Sequence, residues 1–173
     1  MKRLLTGILL ALPGFAGDPW RTPLVEWTQQ DATRILNDSP WAKRNGRTKT
    51  IVRWQSARPV RLAMKKLHAG EVTGNDDSYV IAIVGLTASE QAPKTAYLKP
   101  TGRAPIPSVE TRLVDNAVLF FFPREKPIQP IVFRLPFGIK IGNDVAFQVQ
   151  FGTLRVRETF SMRSMKYLGN LEL

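Results

Sequence analysis

Apolar and polar positions along the chain change period several times, and each change marks an element. Thr28, followed three residues later by Asp31, resembles a capping box, so a helix is expected to start within Trp27-Thr28-Gln29-Gln30-Asp31-Ala32. Ala32, Ile35 and Leu36 lie three and four apart on one of its faces. Asn37-Asp38-Ser39-Pro40 ends it, because the residue before a proline avoids the helical region, and Trp41 and Ala42 are expected to pack back. Between Thr48 and Gln55 the β-branched Thr48, Thr50, Ile51 and Val52 with Trp54 predict a strand, with Lys49 and Arg53 facing water. A second helix is expected to start near Pro59, a residue favoured at the first helical position, and to end before Gly70. Val60, Ala63, Met64 and Leu67 form its apolar stripe, while Arg58, Arg61, Lys65 and His68 follow helical spacing on another face.

Beyond Gly74-Asn75-Asp76-Asp77, read as part of a polar turn from Glu71 to Ser78, the period shortens. Tyr79 to Leu86 is a continuous apolar run, the pattern of a central strand covered on both faces. From Leu86 to Ser108 the scattered Pro93, Pro100, Pro105 and Pro107 predict an irregular surface excursion with at most a short strand at Thr95 to Leu98. Strands are then expected at Val109 to Val114, Ala117 to Phe122, Ile131 to Leu135, Ile139 to Ile141 and Val145 to Phe151. In the last of these Val145, Phe147, Val149 and Phe151 alternate with Ala146, Gln148 and Gln150, the period of a sheet with one wet face. Gly142-Asn143-Asp144 is read as a hairpin turn leading into it. In the final region, Leu154 to Leu173, apolar parity switches from Leu154, Val156, Phe160 and Met162 to Met165, Tyr167, Leu171 and Leu173, which places a bulge or turn near Ser164. The fold class expected is α+β, two N-terminal helices packed on a mainly antiparallel β-sheet or sandwich.

The first sixteen residues stand apart. Lys2 and Arg3 form a cationic start, Leu4 to Leu12 an apolar stretch, and Pro13-Gly14 a break before small residues ending at Ala16, the order of a cleaved secretory signal. A bilayer needs about 20 apolar residues, and Leu4 to Ala16 supplies 13. Residues 1–16 are therefore expected to be a signal peptide and 17–173 a single globular domain, with no transmembrane segment after signal removal and a periplasmic or secreted location. The chain has no cysteine, so disulfides, thiolate metal sites and thiol nucleophiles are excluded.

Charge adds the main functional hint. The chain carries 25 basic and 14 acidic residues, a net +11. No acidic residue lies between Asp38 and Glu71, while Lys43, Arg44, Arg47, Lys49, Arg53, Arg58, Arg61, Lys65 and Lys66 all do. Such a field steers anionic partners from a distance, and it also fits a solvated, solubilising face. Arg53, Arg58, Arg61, Lys65 and Lys66 are the candidate anion-binding residues.

Several stretches carry a resemblance. Trp27 to Ala42, reading Trp-Thr-Gln-Gln-Asp-Ala-Thr-Arg-Ile-Leu-Asn-Asp-Ser-Pro-Trp-Ala, Ile51-Val52-Arg53-Trp54-Gln55-Ser56-Ala57-Arg58-Pro59-Val60-Arg61, Val118-Leu119-Phe120-Phe121-Phe122-Pro123-Arg124 and the ending Met165 to Leu173 occur in this order. Together they resemble a group of uncharacterised secreted bacterial proteins, some of them labelled GWxTD-domain-containing. The Gly-Trp-x-Thr-Asp string itself is absent, and Glu26-Trp27-Thr28-Gln29-Gln30-Asp31 stands in this chain. The resemblance implies a shared fold and export, and it transfers no catalytic residue.

Reading for chemistry finds no catalytic constellation. His68 is the only histidine, which rules out multi-histidine metal sites, and neither Ser56 nor Ser78 sits in a Gly-x-Ser-x-Gly elbow. Asp31 with Asp38 and Asp76 with Asp77 are the nearest carboxylate pairs, and capping and turn roles account for them. Asn75, Asp76 and Asp77 lack the spaced ligands and closing glutamate of a calcium loop. Trp20, Trp27, Trp41 and Trp54 could stack on sugars or bases, or could join helices to a sheet; core packing is the reading adopted. The expectation is a non-enzymatic binding or interaction module without cofactor or metal, whose partner is an anionic envelope component or a protein, with no nucleic acid. The rivals are a hydrolase built on acidic residues and His68, and a structural subunit of an envelope assembly.

Overall fold

The capping signal is realised at Thr28. Helix α1 spans Gln29–Asn37; the Asp31 N–H donates to the Thr28 hydroxyl at 3.0 Å, and the Asp31 carboxylate accepts from the Thr28 N–H at 2.8 Å. Two donors that a helix start leaves orphaned are thereby satisfied. The Thr28 N–H and the Thr28 hydroxyl, which donates at 2.7 Å, both reach the Asp31 carboxylate and hold it below the usual carboxylate range. Its contribution is present above the ordinary carboxylate pKa and is lost as pH falls through the depressed one. Thr28→Ala is expected to cost about 1 kcal/mol in urea unfolding, and a loss below the error of that experiment contradicts the role given to the cap.

The computed structural model describes residues 17–68, 77–86, 95–114, 116–125, 127–136 and 138–173. The expected signal peptide, Gly70, most of the turn at Glu71 to Asp76 and the stretch around Pro93 lie outside the described residues. After α1, the Ser39 hydroxyl donates to the Ile35 carbonyl at 2.7 Å and the chain enters β1, Ala42–Arg44, and β2, Ile51–Trp54. β2 begins three residues later than the pattern predicts. Asn45 Oδ1 accepts from the Arg47 and Thr48 N–H groups at 3.1 Å each, and Lys49 is left-handed at φ 56°, so the β-branched Thr48 belongs to a turn. Helix α2 is Arg58–Lys66 with Pro59 in its first turn. It stops short of Gly70 because His68, at φ 50°, takes the left-handed turn that glycine usually supplies.

The remaining strands are β3 Ser78–Val84, β4 Tyr97–Pro100, β5 Ile106–Pro107, β6 Glu110–Val114, β7 Ala117–Pro123, β8 Ile131–Leu135, β9 Gly138–Gly142, β10 Asp144–Phe151, β11 Leu154–Ser161, β12 Lys166–Tyr167 and β13 Asn170–Leu171. Pairing among them is antiparallel throughout. One sheet has the order β1-β2-β3-β7-β6 and a second the order β11-β10-β4-β5, with β8-β9 and β12-β13 as separate hairpins. The described residues are thus mainly antiparallel sheet with two α-helices, a β-rich α+β architecture.

The two larger sheets meet face to face through aromatic rings. Trp54 of β2 lies edge-on to Phe160 of β11 at 5.6 Å, and Phe120 of β7 lies 5.5 Å from Phe147 and 6.2 Å from Phe151, both of β10. Edge and tilted geometries of this kind add to simple area burial. One contiguous core joins these residues to Ala32, Ile35 and Leu36 of α1 and to Val60, Ala63 and Met64 of α2. The continuous apolar run of β3 is explained by its place between β2 and β7. Tyr79, Ile81 and Ile83 face that core, while Val80 and Ala82 join Leu119 and Phe121 in a smaller cluster on the sheet's back.

The hairpin expected at Gly142-Asn143-Asp144 is not formed. β9 turns back to pair with β8, and β10 pairs with β4 and β11. The Asn143 carbonyl accepts from Met162 N–H at 2.7 Å and the Asp144 carbonyl from Thr101 N–H at 2.9 Å, so the tripeptide passes from one sheet to another. The parity switch near Ser164 is a turn: Ser164 and Met165 N–H groups both donate to the Ser161 carbonyl, at 3.0 and 3.2 Å. Beyond it the chain returns to the link between α1 and β1, where Trp41 Nε1 donates to the Glu172 carbonyl at 2.7 Å. All four tryptophans are buried.

Candidate functional site

Helical spacing places Arg58, Arg61 and Lys65 along one exposed edge of α2, with His68 exposed just beyond its end. The helix contains no acidic residue. The opposite stripe is held in the core by Val60, Ala63 and Met64, so packing fixes which way the cations point. Lys66 is half-buried and lies close enough to Asp31 to help lower its pKa.

Arg53 does not join this edge, which corrects the expectation that it faces water. It sits on the back of the first sheet opposite Ala42 and Ala82, small neighbours over which a long side chain can lie flat. Its Nε donates to Gln55 Oε1 at 2.7 Å, and the buried Gln55 donates in turn from Nε2 to Met64 Sδ at 2.9 Å. Burial pushes the Arg53 guanidinium down to about 10. Parity along β2 identified its face correctly, but parity alone does not tell whether that face is covered.

A second cationic group lies where the two ends of the chain meet. An open cleft of about 430 Å³ is lined by Asp18, Trp20, Arg21, Arg163, Lys166 and Leu168 among others. Among the described residues Asp18 is the one acid lining it, and it is engaged by Arg21 at 3.3 Å and Arg34 at 3.5 Å. The far wall exists because Leu168 and Gly169 take consecutive positive φ values of 48° and 87°, the requirement of a tight turn between β12 and β13. For Leu168 that conformation costs roughly 1–2 kcal/mol. Behind the cleft wall, the Arg58 guanidinium of α2 stands 5.8 Å over the ring of Tyr167, which follows Lys166 in the chain and is buried on the other face of β12. Arg21, Arg163 and Lys166 are far apart in sequence, and no local pattern groups them.

A shallower depression of about 390 Å³ lies on the outer face of the second sheet, where Tyr97, Lys99, Gln148, Gln150 and Arg155 stand together. These are the wet positions of the alternation in β10 and of its neighbours β4 and β11.

Among the described residues the catalytic candidates take structural roles or lie exposed. Asp31 caps α1, Asp38 follows its end exposed, and the Ser56 hydroxyl accepts from the Val80 N–H at 3.1 Å. Asp77 is exposed, and Asn75 and Asp76 lie outside the described residues. Among the described residues no group of three or more histidine, aspartate and glutamate side chains is arranged to hold a metal ion, and no helix is long and apolar enough to cross a membrane. No family model, curated protein or solved structure matches the chain.

Proposed function

We propose that this chain is an exported, non-enzymatic binding module for an anionic partner of the cell envelope, in the periplasm or outside the cell. The observation that carries the reading is the presence of two cationic groups, Arg58, Arg61 and Lys65 on the exposed edge of α2 and Arg21, Arg163 and Lys166 lining the cleft. The signal-like pattern of Met1 to Ala16 supports export, and the resemblance to secreted bacterial proteins agrees with it. Each cation near an anionic lipid surface contributes on the order of 1 kcal/mol at low salt, and an acidic polysaccharide presents the same kind of field.

Retention on an acidic polysaccharide resin and co-sedimentation with vesicles containing anionic lipid test this at low and at high salt. The expected result is capture by at least one of the two that weakens steeply with salt. Reversing charge by Arg61→Glu with Lys65→Glu, or by Arg163→Glu with Lys166→Glu, should each reduce that capture at least about tenfold. Binding that ignores both salt and charge reversal, or no binding to either probe, overturns the reading.

A further inference from the structure

Strand β6 is the outer strand of the first sheet, paired only with β7 among the described residues. All five of its residues are exposed. Alternate residues of such an edge direct their N–H and C=O groups outward, which makes it a template for another strand. The usual protections are incomplete here: there is no proline in Glu110–Val114, and Val109, Leu113 and Val114 are 67%, 78% and 41% exposed.

Its sequence is also complementary to itself. In an antiparallel pairing of two copies with the two-fold axis at Thr111, Thr111 faces Thr111. On the same side Val109 faces Leu113, and on the other side Glu110 faces Arg112, each contact occurring twice. Opposed residues of an antiparallel pair lie on one side of the sheet, so the apolar and the charged pairs segregate cleanly. Within one copy Arg112 already reaches Glu110 through Nε, and through Nη2 at 3.0 Å, while its guanidinium stands 4.5 Å over the Phe121 ring. The two charges are therefore held on the back of the sheet, beside the cluster of Val80, Ala82, Leu119 and Phe121. A second Glu110–Arg112 set would extend that ion pair into a square of four charges alternating in sign. Shifting the register by two residues places Arg112 opposite Arg112 or Glu110 opposite Glu110, so like charges disfavour the neighbouring alignments.

We infer that the free edge of β6 is an interface for a second copy of this chain, paired antiparallel about Thr111 to give one ten-stranded sheet across the two-fold axis. A short edge contact buries less than a standard interface, so the dimer is weak and depends on concentration.

Sedimentation velocity of the purified chain over a concentration series tests the inference, with Glu110→Arg and Arg112→Glu as separate variants whose folding is checked by circular dichroism. Each variant alone places like charges opposite one another twice, and its self-association is expected to weaken at least about tenfold. An equimolar mixture of the two restores every opposite-charge pair, so the mixture is expected to dimerise where neither component does. A wild-type chain that stays monomeric up to about 1 mM overturns the inference, as do single variants that dimerise like the wild type. So does a mixture that remains monomeric while the wild type dimerises.

Discussion

Replacing Trp54 with alanine is expected to cost about 3–5 kcal/mol of stability, the range for removing a large aromatic ring from a packed core. The ring is fully buried, 5.6 Å from Phe160 and 6.0 Å from Tyr79, both edge-on, at the point where β2 of one sheet meets β11 of the other. Deleting it leaves a void shared by both sheets, and neither can relax into it without giving up other ring contacts. Phenylalanine should behave differently. Trp54 Nε1 is buried and has no hydrogen-bond partner among the described residues, so Trp54→Phe shrinks the ring and also removes an unsatisfied donor. Such a donor costs about 1–3 kcal/mol, enough to offset most of the lost packing. Trp41→Phe removes instead a bond of 2.7 Å to the Glu172 carbonyl and should cost more than Trp54→Phe. Denaturant midpoints of the three variants check the order Trp54→Ala, Trp41→Phe, Trp54→Phe from most to least destabilised. Equal losses for Trp54→Ala and Trp54→Phe would contradict the account of the indole.

Gln55→Leu is expected to cost about 3 kcal/mol although it makes the core more apolar. Gln55 Oε1 is the acceptor that Arg53 finds on the back of the sheet, and removing it leaves a largely desolvated cation without that partner, the situation in which a buried charge is most costly. Arg53→Met alone relieves the charge but strands the Gln55 carbonyl oxygen, so it should be milder. Arg53→Met with Gln55→Leu removes both ends and should recover most of the loss. That non-additivity is the signature to measure in a double-mutant cycle. The same charge gives an alkaline signature. The folded protein releases the Arg53 proton near pH 10, below the pH at which the unfolded chain does. Above about pH 10 the unfolded state therefore holds more protons, and rising pH favours the folded state. Relative to Arg53→Met, the stability of the wild type should rise as pH climbs from 10, and a flat difference counts against the burial of this guanidinium.

The local signals in the sequence became structure where they depended on neighbours in the chain. The Thr28–Asp31 box starts α1, the stripe of Val60, Ala63 and Met64 is buried on α2, and the alternation of Val145, Phe147, Val149 and Phe151 gives the inner face of β10. What failed depended on distant partners. Gly142-Asn143-Asp144 has the composition of a hairpin turn, yet its carbonyls are taken by residues from beyond β11 and β4, and only the tertiary fold decides that. Lys49 and His68 show the same limit at short range, since each takes a left-handed turn that composition assigns to glycine. The candidate site divides in the same way. Arg58, Arg61 and Lys65 share a helix edge and could be grouped by spacing, whereas Arg53 needed knowledge of what covers the sheet. Arg21, Arg163 and Lys166 needed the meeting of the two chain ends.

The most direct test of the cationic surface is hydrogen–deuterium exchange of the chain at low salt, with and without a soluble acidic polysaccharide. Added protection is expected in Arg58–Lys66 and around Arg163 to Leu168, the segments that carry the two cationic groups. It should disappear in the Arg61→Glu with Lys65→Glu variant. Protection confined to Tyr97–Lys99 and Arg155 on the outer face of the second sheet, or no change anywhere, would contradict the proposal that α2 and the cleft bind the anion.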